Sequence, residues 1–174
     1  MKIFSQEDQV SLDTLNKNTE ILRQALDENN NEVQLVPYCQ PICDENGGVV
    51  KYEALARIEK KEEDGSITVI PPWCFIKIAE EIGRSADITK AILTQISEDL
   101  MGDATLNISV NMDAQSWNNR EVMEMFEEIH RCGFSDRVTV EILETVELNR
   151  KDDMIQVEYL KSLGLALAID DYGK

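Results

Sequence analysis

The spacing of apolar residues changes character along this chain. Residues 1–10 are mostly polar and read as a leader. From Leu12 to Leu26 the positions Leu12, Leu15, Ile21, Leu22, Ala25 and Leu26 make a broken stripe at helical spacing, closed by the polar run 27–31. The segment 33–42 predicts a strand, and Pro37 and Pro41 suit an edge position where a missing N–H costs little. Asp44-Glu45-Asn46-Gly47-Gly48 is a hairpin signal, and 49–58 predicts a second strand antiparallel to the first. Residues 60–66 are charged and turn-like. Pro71-Pro72 then opens a helix carrying Phe75, Ile76, Ile78, Ala79 and Ile82 on one side, with Gly83 as its stop.

The remainder alternates. Helix is predicted over 87–101, 119–132 and 151–163, and strand over 104–112, 137–143 and 165–169. Strands separated by helices argue for parallel pairing with helical crossovers. The fold class expected is α/β: an incomplete TIM-like (β/α) barrel of about five strands with an antiparallel first strand. No domain boundary is placed inside 11–174, and the N-terminal helix is expected to pack on the same unit.

Composition narrows the chemistry. The chain has 174 residues, 43% of them hydrophobic, enough for one sizeable core. A formal charge of −17, from 34 acidic and 17 basic residues, argues against a nucleic-acid polymer or an anionic membrane as partner. Cys39, Cys43, Cys74 and Cys132 form no CxxC pair, and His130 has no Cys or His at zinc spacing. They are read as reduced, packed thiols of a cytoplasmic protein. Trp73 and Trp117 are read as packing anchors, and Glu80-Glu81 as a solvated helix face. No apolar run reaches the length of a membrane span.

Oxygen-bearing side chains fall at the strand ends. Glu53 lies on the second strand, Asn111 ends the third, Glu141 and Glu144 end the fourth, and Asp170 and Asp171 end the fifth. In parallel α/β sheets those carboxyl ends form the functional face. Like charges gathered there either raise each other's pKa or take up a cation, and all-oxygen donors favour Mg²⁺ or Mn²⁺. Position alone leaves a second reading open, of ordinary acids at strand ends in an acid-rich chain.

Particular strings add to this. Glu53-Ala54-Leu55-Ala56-Arg57 resembles the signature of the EAL domain family of cyclic-di-GMP phosphodiesterases. Gln40-Pro41-Ile42, the Pro72–Gly83 helix, Ser109-Val110-Asn111, Glu141-Ile142-Leu143-Glu144 and Asp170-Asp171-Tyr172-Gly173 are similar to that family's further motifs, in order over residues 33–173. The resemblance implies a modified TIM barrel that hydrolyses cyclic di-GMP to linear pGpG with Mg²⁺ or Mn²⁺. It implies Glu53, Asn111, Glu141 and Asp170 as ligands of a first metal and Asp170 and Asp171 as ligands of a second. Glu53, Asp170 and Asp171 would thus serve catalysis, with Glu144 as a supporting acid. Arg57 would hold a substrate phosphate, while Gln40 and Leu55 would touch the dinucleotide. Without the resemblance, Arg57 could pair with Glu53 or Glu59, Leu55 could be core, Gln40 could satisfy backbone, and Glu144 could start a helix.

A full (β/α)₈ barrel takes about 250 residues, so roughly three strands are expected to lie outside this chain. In the family they carry a lysine near the nucleophilic water, further acidic ligands and a glutamine. The expectation is therefore an N-terminal portion of an EAL domain, with little or no turnover alone and self-association through an open edge at 165–169. The competing expectations are a non-catalytic module binding cyclic di-GMP or a protein partner, and a pure interaction protein.

Overall fold

A computed structural model describes residues 6–143, 146 and 151–169. The predicted hairpin is present: β1 (Val33–Cys43) and β2 (Val49–Lys61) pair antiparallel with Gln40 opposite Glu53 and Val36 opposite Arg57. Their turn is closed by Asp44, whose Oδ1 accepts from the N–H groups of Asn46 and Gly48, and Gly47 supplies the positive φ of 82°. β2 overshoots its partner and folds back into β3 (Ile67–Ile70), a strand the sequence reading passed over. Four residues are too few to display a period, and their pairing with Ile58–Lys61 is what makes them a strand.

The helix expected from Pro71-Pro72 is divided. A 3₁₀ turn, Pro72–Cys74, gives way at Phe75 to α2 (Ile76–Glu81), the first of these being α1 (Gln6–Ala25) at the chain's start. Phe75 has φ −139°, outside the helical region, and its ring is buried, so core packing sets the break. There follow α3 (Ser85–Gly102), β4 (Ile108–Met112), α4 (Ala114–Trp117), α5 (Arg120–Arg131), β5 (Val138–Ile142), α6 (Lys151–Ser162) and β6 (Ala166–Ile169). The sheet order is β1-β2-β4-β5-β6, with β3 paired to β2, and every pair from β2–β4 onward along that path is parallel. This is the partial (β/α) barrel with an antiparallel first strand that the pattern predicts; among the described residues the sheet does not close.

Alternation along the strands divides the two faces. Ile108, Val110 and Met112 of β4 and Val138, Val140 and Ile142 of β5 are buried in one core with Ile92, Leu93 and Ile96 of α3 and Phe126 and Ile129 of α5. Burying each such side chain contributes on the order of 1.5–3 kcal/mol. Ile21, Leu22 and Ala25 of α1 join the same core, which ties the N-terminal helix to the unit. Helix ends are satisfied by side chains: Asn119 accepts from the Val122 N–H at the start of α5, and Asp113 from that of Ser116. Arg137 donates to the carbonyls of Leu100 (2.9 Å) and Asp103 (2.7 Å) at the end of α3, with its guanidinium over Phe134.

Several expectations change. α1 begins at Gln6, so residues 6–10 are helical rather than leader. Trp117 is buried and donates to Asp153, whereas Trp73 is 79% exposed and anchors nothing. The cysteines are free, but Cys39, Cys43 and Cys132 are exposed rather than packed. Among the described residues no helix is long and apolar enough to cross a membrane.

Candidate functional site

The sheet face opposite the helices carries those of the predicted site residues that the structure describes. Gln40 and Glu53 are cross-strand partners, and in a strand the same face recurs every second residue. β2 therefore presents Lys51, Glu53, Leu55 and Arg57 together. Register extends the face: Glu53 aligns with Ser109, Asn111 aligns with Glu141, and Glu141 aligns with Ala168. Gln40, Glu53, Leu55, Arg57, Asn111 and Glu141 thus share one face drawn from four strands. The remaining predicted residues, Glu144, Asp170 and Asp171, lie outside the described residues.

The contacts at the centre are specific. Asn111 Nδ2 donates to Glu53 Oε1 at 2.8 Å. Asn111 Oδ1 is shielded from solvent and accepts no hydrogen bond, the single such side-chain atom among the described residues. A buried acceptor without a donor is disfavoured by about 1–3 kcal/mol, so its place asks for a cation or a donor. Two carboxylates and one amide oxygen form an all-oxygen donor set of the kind a hard divalent cation takes. The described residues hold no group of three or more His, Cys, Asp or Glu that could hold a metal ion; on this face they offer two carboxylates, Glu53 and Glu141, and the amide oxygen of Asn111.

A cation is already there. The Lys51 ammonium lies 2.8 Å from Glu141 Oε1, with side chains 26% and 13% exposed. Sequence reasoning missed Lys51, although its place two residues before Glu53 put it on the right face. Arg57, further along β2, donates to the Ala56 carbonyl at 2.8 Å and lies 5.9 Å from the centre of the Tyr38 ring. It forms no ion pair among the described residues, and neither Glu53 nor Glu59 claims it. Tyr38, opposite Leu55, donates to Glu59 at 2.9 Å, and that hydrogen bond holds its phenol above the ordinary value. Gln40 is exposed and Leu55 half-buried. A cavity of about 230 Å³ adjoins Leu55 and Asn111, lined mainly by apolar residues such as Ala54, Ile76, Ile88 and Val110. That is below the range of about 300–1,000 Å³ usual for small-molecule pockets, so a dinucleotide would lie on the open face.

A parallel β/α sheet led by an antiparallel hairpin, with oxygen donors gathered opposite its helices, defines the class of (β/α)-barrel domains whose sites are built at strand ends. Sequence comparison refines this: the EAL domain model matches residues 19–174, and the chain belongs to the EAL domain family. It is 29% identical over 163 residues to the oxygen sensor protein DosP of Escherichia coli (strain K12), covering 88% of this chain and 20% of that protein. Among solved structures it resembles the PaMucR phosphodiesterase in complex with c-di-GMP, at 25% identity and TM-score 0.68, covering 91% of this chain and 64% of that one. An EAL domain protein from Listeria monocytogenes EGD-e shares the fold at 18% identity and TM-score 0.67, with 91% and 59% covered. The chain thus spans about a fifth of the curated relative and under two thirds of these structures.

Proposed function

We propose that this chain supplies the cyclic-di-GMP-binding face of an EAL phosphodiesterase domain, which hydrolyses that dinucleotide to linear pGpG with Mg²⁺ or Mn²⁺. The observation that carries this reading is the placement of Glu53, Asn111 and Glu141 on one face, with Asn111 Nδ2 bonded to Glu53 and its shielded Oδ1 unsatisfied. A bound divalent ion supplies charge neutralisation at the phosphodiester and activation of water. Glu53, Asn111 and Glu141 would hold it, with Asp170 as a fourth ligand; Asp170 and Asp171 would serve a second ion, and Glu144 would be a supporting acid. Asn111 Nδ2 orients the Glu53 carboxylate. Arg57 presents a planar, always-charged donor to a substrate phosphate, with Tyr38 beneath it limiting its rotation. Gln40 and Leu55 flank the same face and contact the dinucleotide.

Water reaches this face, since Gln40 and Tyr38 are exposed and the described sheet is open. The 174-residue chain by itself is therefore assigned binding rather than turnover, because catalysis needs a complete, preorganised site. The outer edge of β6, which pairs with no strand among the described residues and where Ala166 and Ile169 are exposed, supports self-association. The Lys51–Glu141 pair favours one rival reading, a module that binds cyclic di-GMP without metal. Calorimetric titration with cyclic di-GMP, with Mn²⁺ and with EDTA separates them. Metal-dependent uptake supports the phosphodiesterase reading, equal uptake in EDTA supports the rival, and no uptake overturns both.

A further inference from the structure

Lys51 and Glu141 are 90 residues apart in sequence, and β4 lies between their strands in the sheet. The ammonium passes across that strand to reach Glu141 Oε1 at 2.8 Å in a half-buried setting. Four of the ion pairs within helices join exposed neighbours three or four residues apart, of the kind that contributes little, and Lys90 with Asp87 is a shielded exception. Lys51 is a donor-only point charge and takes the same carboxylate lone pairs that a divalent cation requires. Asn111 brings no charge of its own: its amide nitrogen holds one Glu53 oxygen and its Oδ1 is left unclaimed.

We propose that Lys51 is an internal counter-ion of this site: its ammonium occupies Glu141 in the metal-free chain and leaves when a divalent cation binds, so Lys51 sets the metal affinity. The inference rests on the metal-dependent reading above. It makes Lys51 a positioning residue, acting through Glu141 rather than on substrate. Glu141 is then ready for the ion only in the fraction of molecules whose pair is open, and apparent affinity falls by that fraction. A pair closed nine-tenths of the time weakens binding about tenfold.

The test is a Mn²⁺ titration of the 174-residue chain and of Lys51→Met, with free Mn²⁺ read by electron paramagnetic resonance. Lys51→Gln serves as a second variant should the first fold poorly. About tenfold tighter binding in the variants is the expected result. A second readout needs no variant of Lys51. Acetylation of Lys51, quantified by peptide mass spectrometry, is expected to accelerate when Mn²⁺ is added, and to be fast without metal in Glu141→Gln. Wild-type binding that the variants leave unchanged or weaken overturns the role of Lys51 alone. Absence of Mn²⁺ binding in every protein overturns the metal-centre reading and this inference with it.

Discussion

Replacing Asn111 by leucine removes two opposed terms at once. The hydrogen bond from Nδ2 to the Glu53 carboxylate, 2.8 Å long, contributes about 1.5–3 kcal/mol as a bond to a charged acceptor. The unpartnered, shielded Oδ1 opposes it by about 1–3 kcal/mol. Leucine has the branched shape of asparagine with methyl groups in place of the amide atoms, so both terms are removed without a change of shape at the branch. Stability without metal should therefore stay within about 1 kcal/mol of wild type. Were Oδ1 satisfied, the loss would be that of both bonds with no relief, about 3 kcal/mol or more. Urea unfolding followed by the fluorescence of the buried Trp117 measures the difference. The same experiment with Mn²⁺ at about 100 times its Kd should stabilise wild type by about 2.7 kcal/mol and leave Asn111→Leu unmoved. A metal-free loss above about 2 kcal/mol, together with retained stabilisation by Mn²⁺, would refute the assignment of Oδ1 as a ligand atom.

Gln40→Ala should leave unfolding unchanged to within about 0.5 kcal/mol, because the side chain is exposed, while lowering cyclic-di-GMP affinity in calorimetry. Arg137→Ala should cost about 2 kcal/mol by urea unfolding, since it frees two carbonyls at the end of α3; lysine, lacking the fork, should recover less than half. Burial raises the Asp87 carboxyl, but hydrogen bonds from Lys90 and Arg84 outweigh it and hold the group below its ordinary 3.8. With the folded value depressed, its stabilisation is complete above the unfolded value and fades as pH falls through the folded one. The Tm gap between wild type and Asp87→Asn should thus narrow from pH 5 downward, and a gap that persists at pH 2 would contradict it.

The sequence alone was sufficient for the hairpin and the parallel β/α alternation, because period, turn residues and helix stops are local signals. It also placed Glu53 on the second strand and Asn111 and Glu141 towards the ends of theirs, since strand boundaries and the two-residue period are readable without a partner. Three features needed the assembled sheet. β3 exists only because the overshoot of β2 gives Ile67–Ile70 something to pair with. The break at Phe75 follows from burial of its ring, and Trp73, two residues earlier, is left in solvent where the sequence had it packed. Lys51 meets Glu141 across an intervening strand, a distance set by sheet curvature and register that no spacing along the chain encodes. Local pattern decides what each segment becomes; which charges then share a face at bonding distance is decided by how distant strands align.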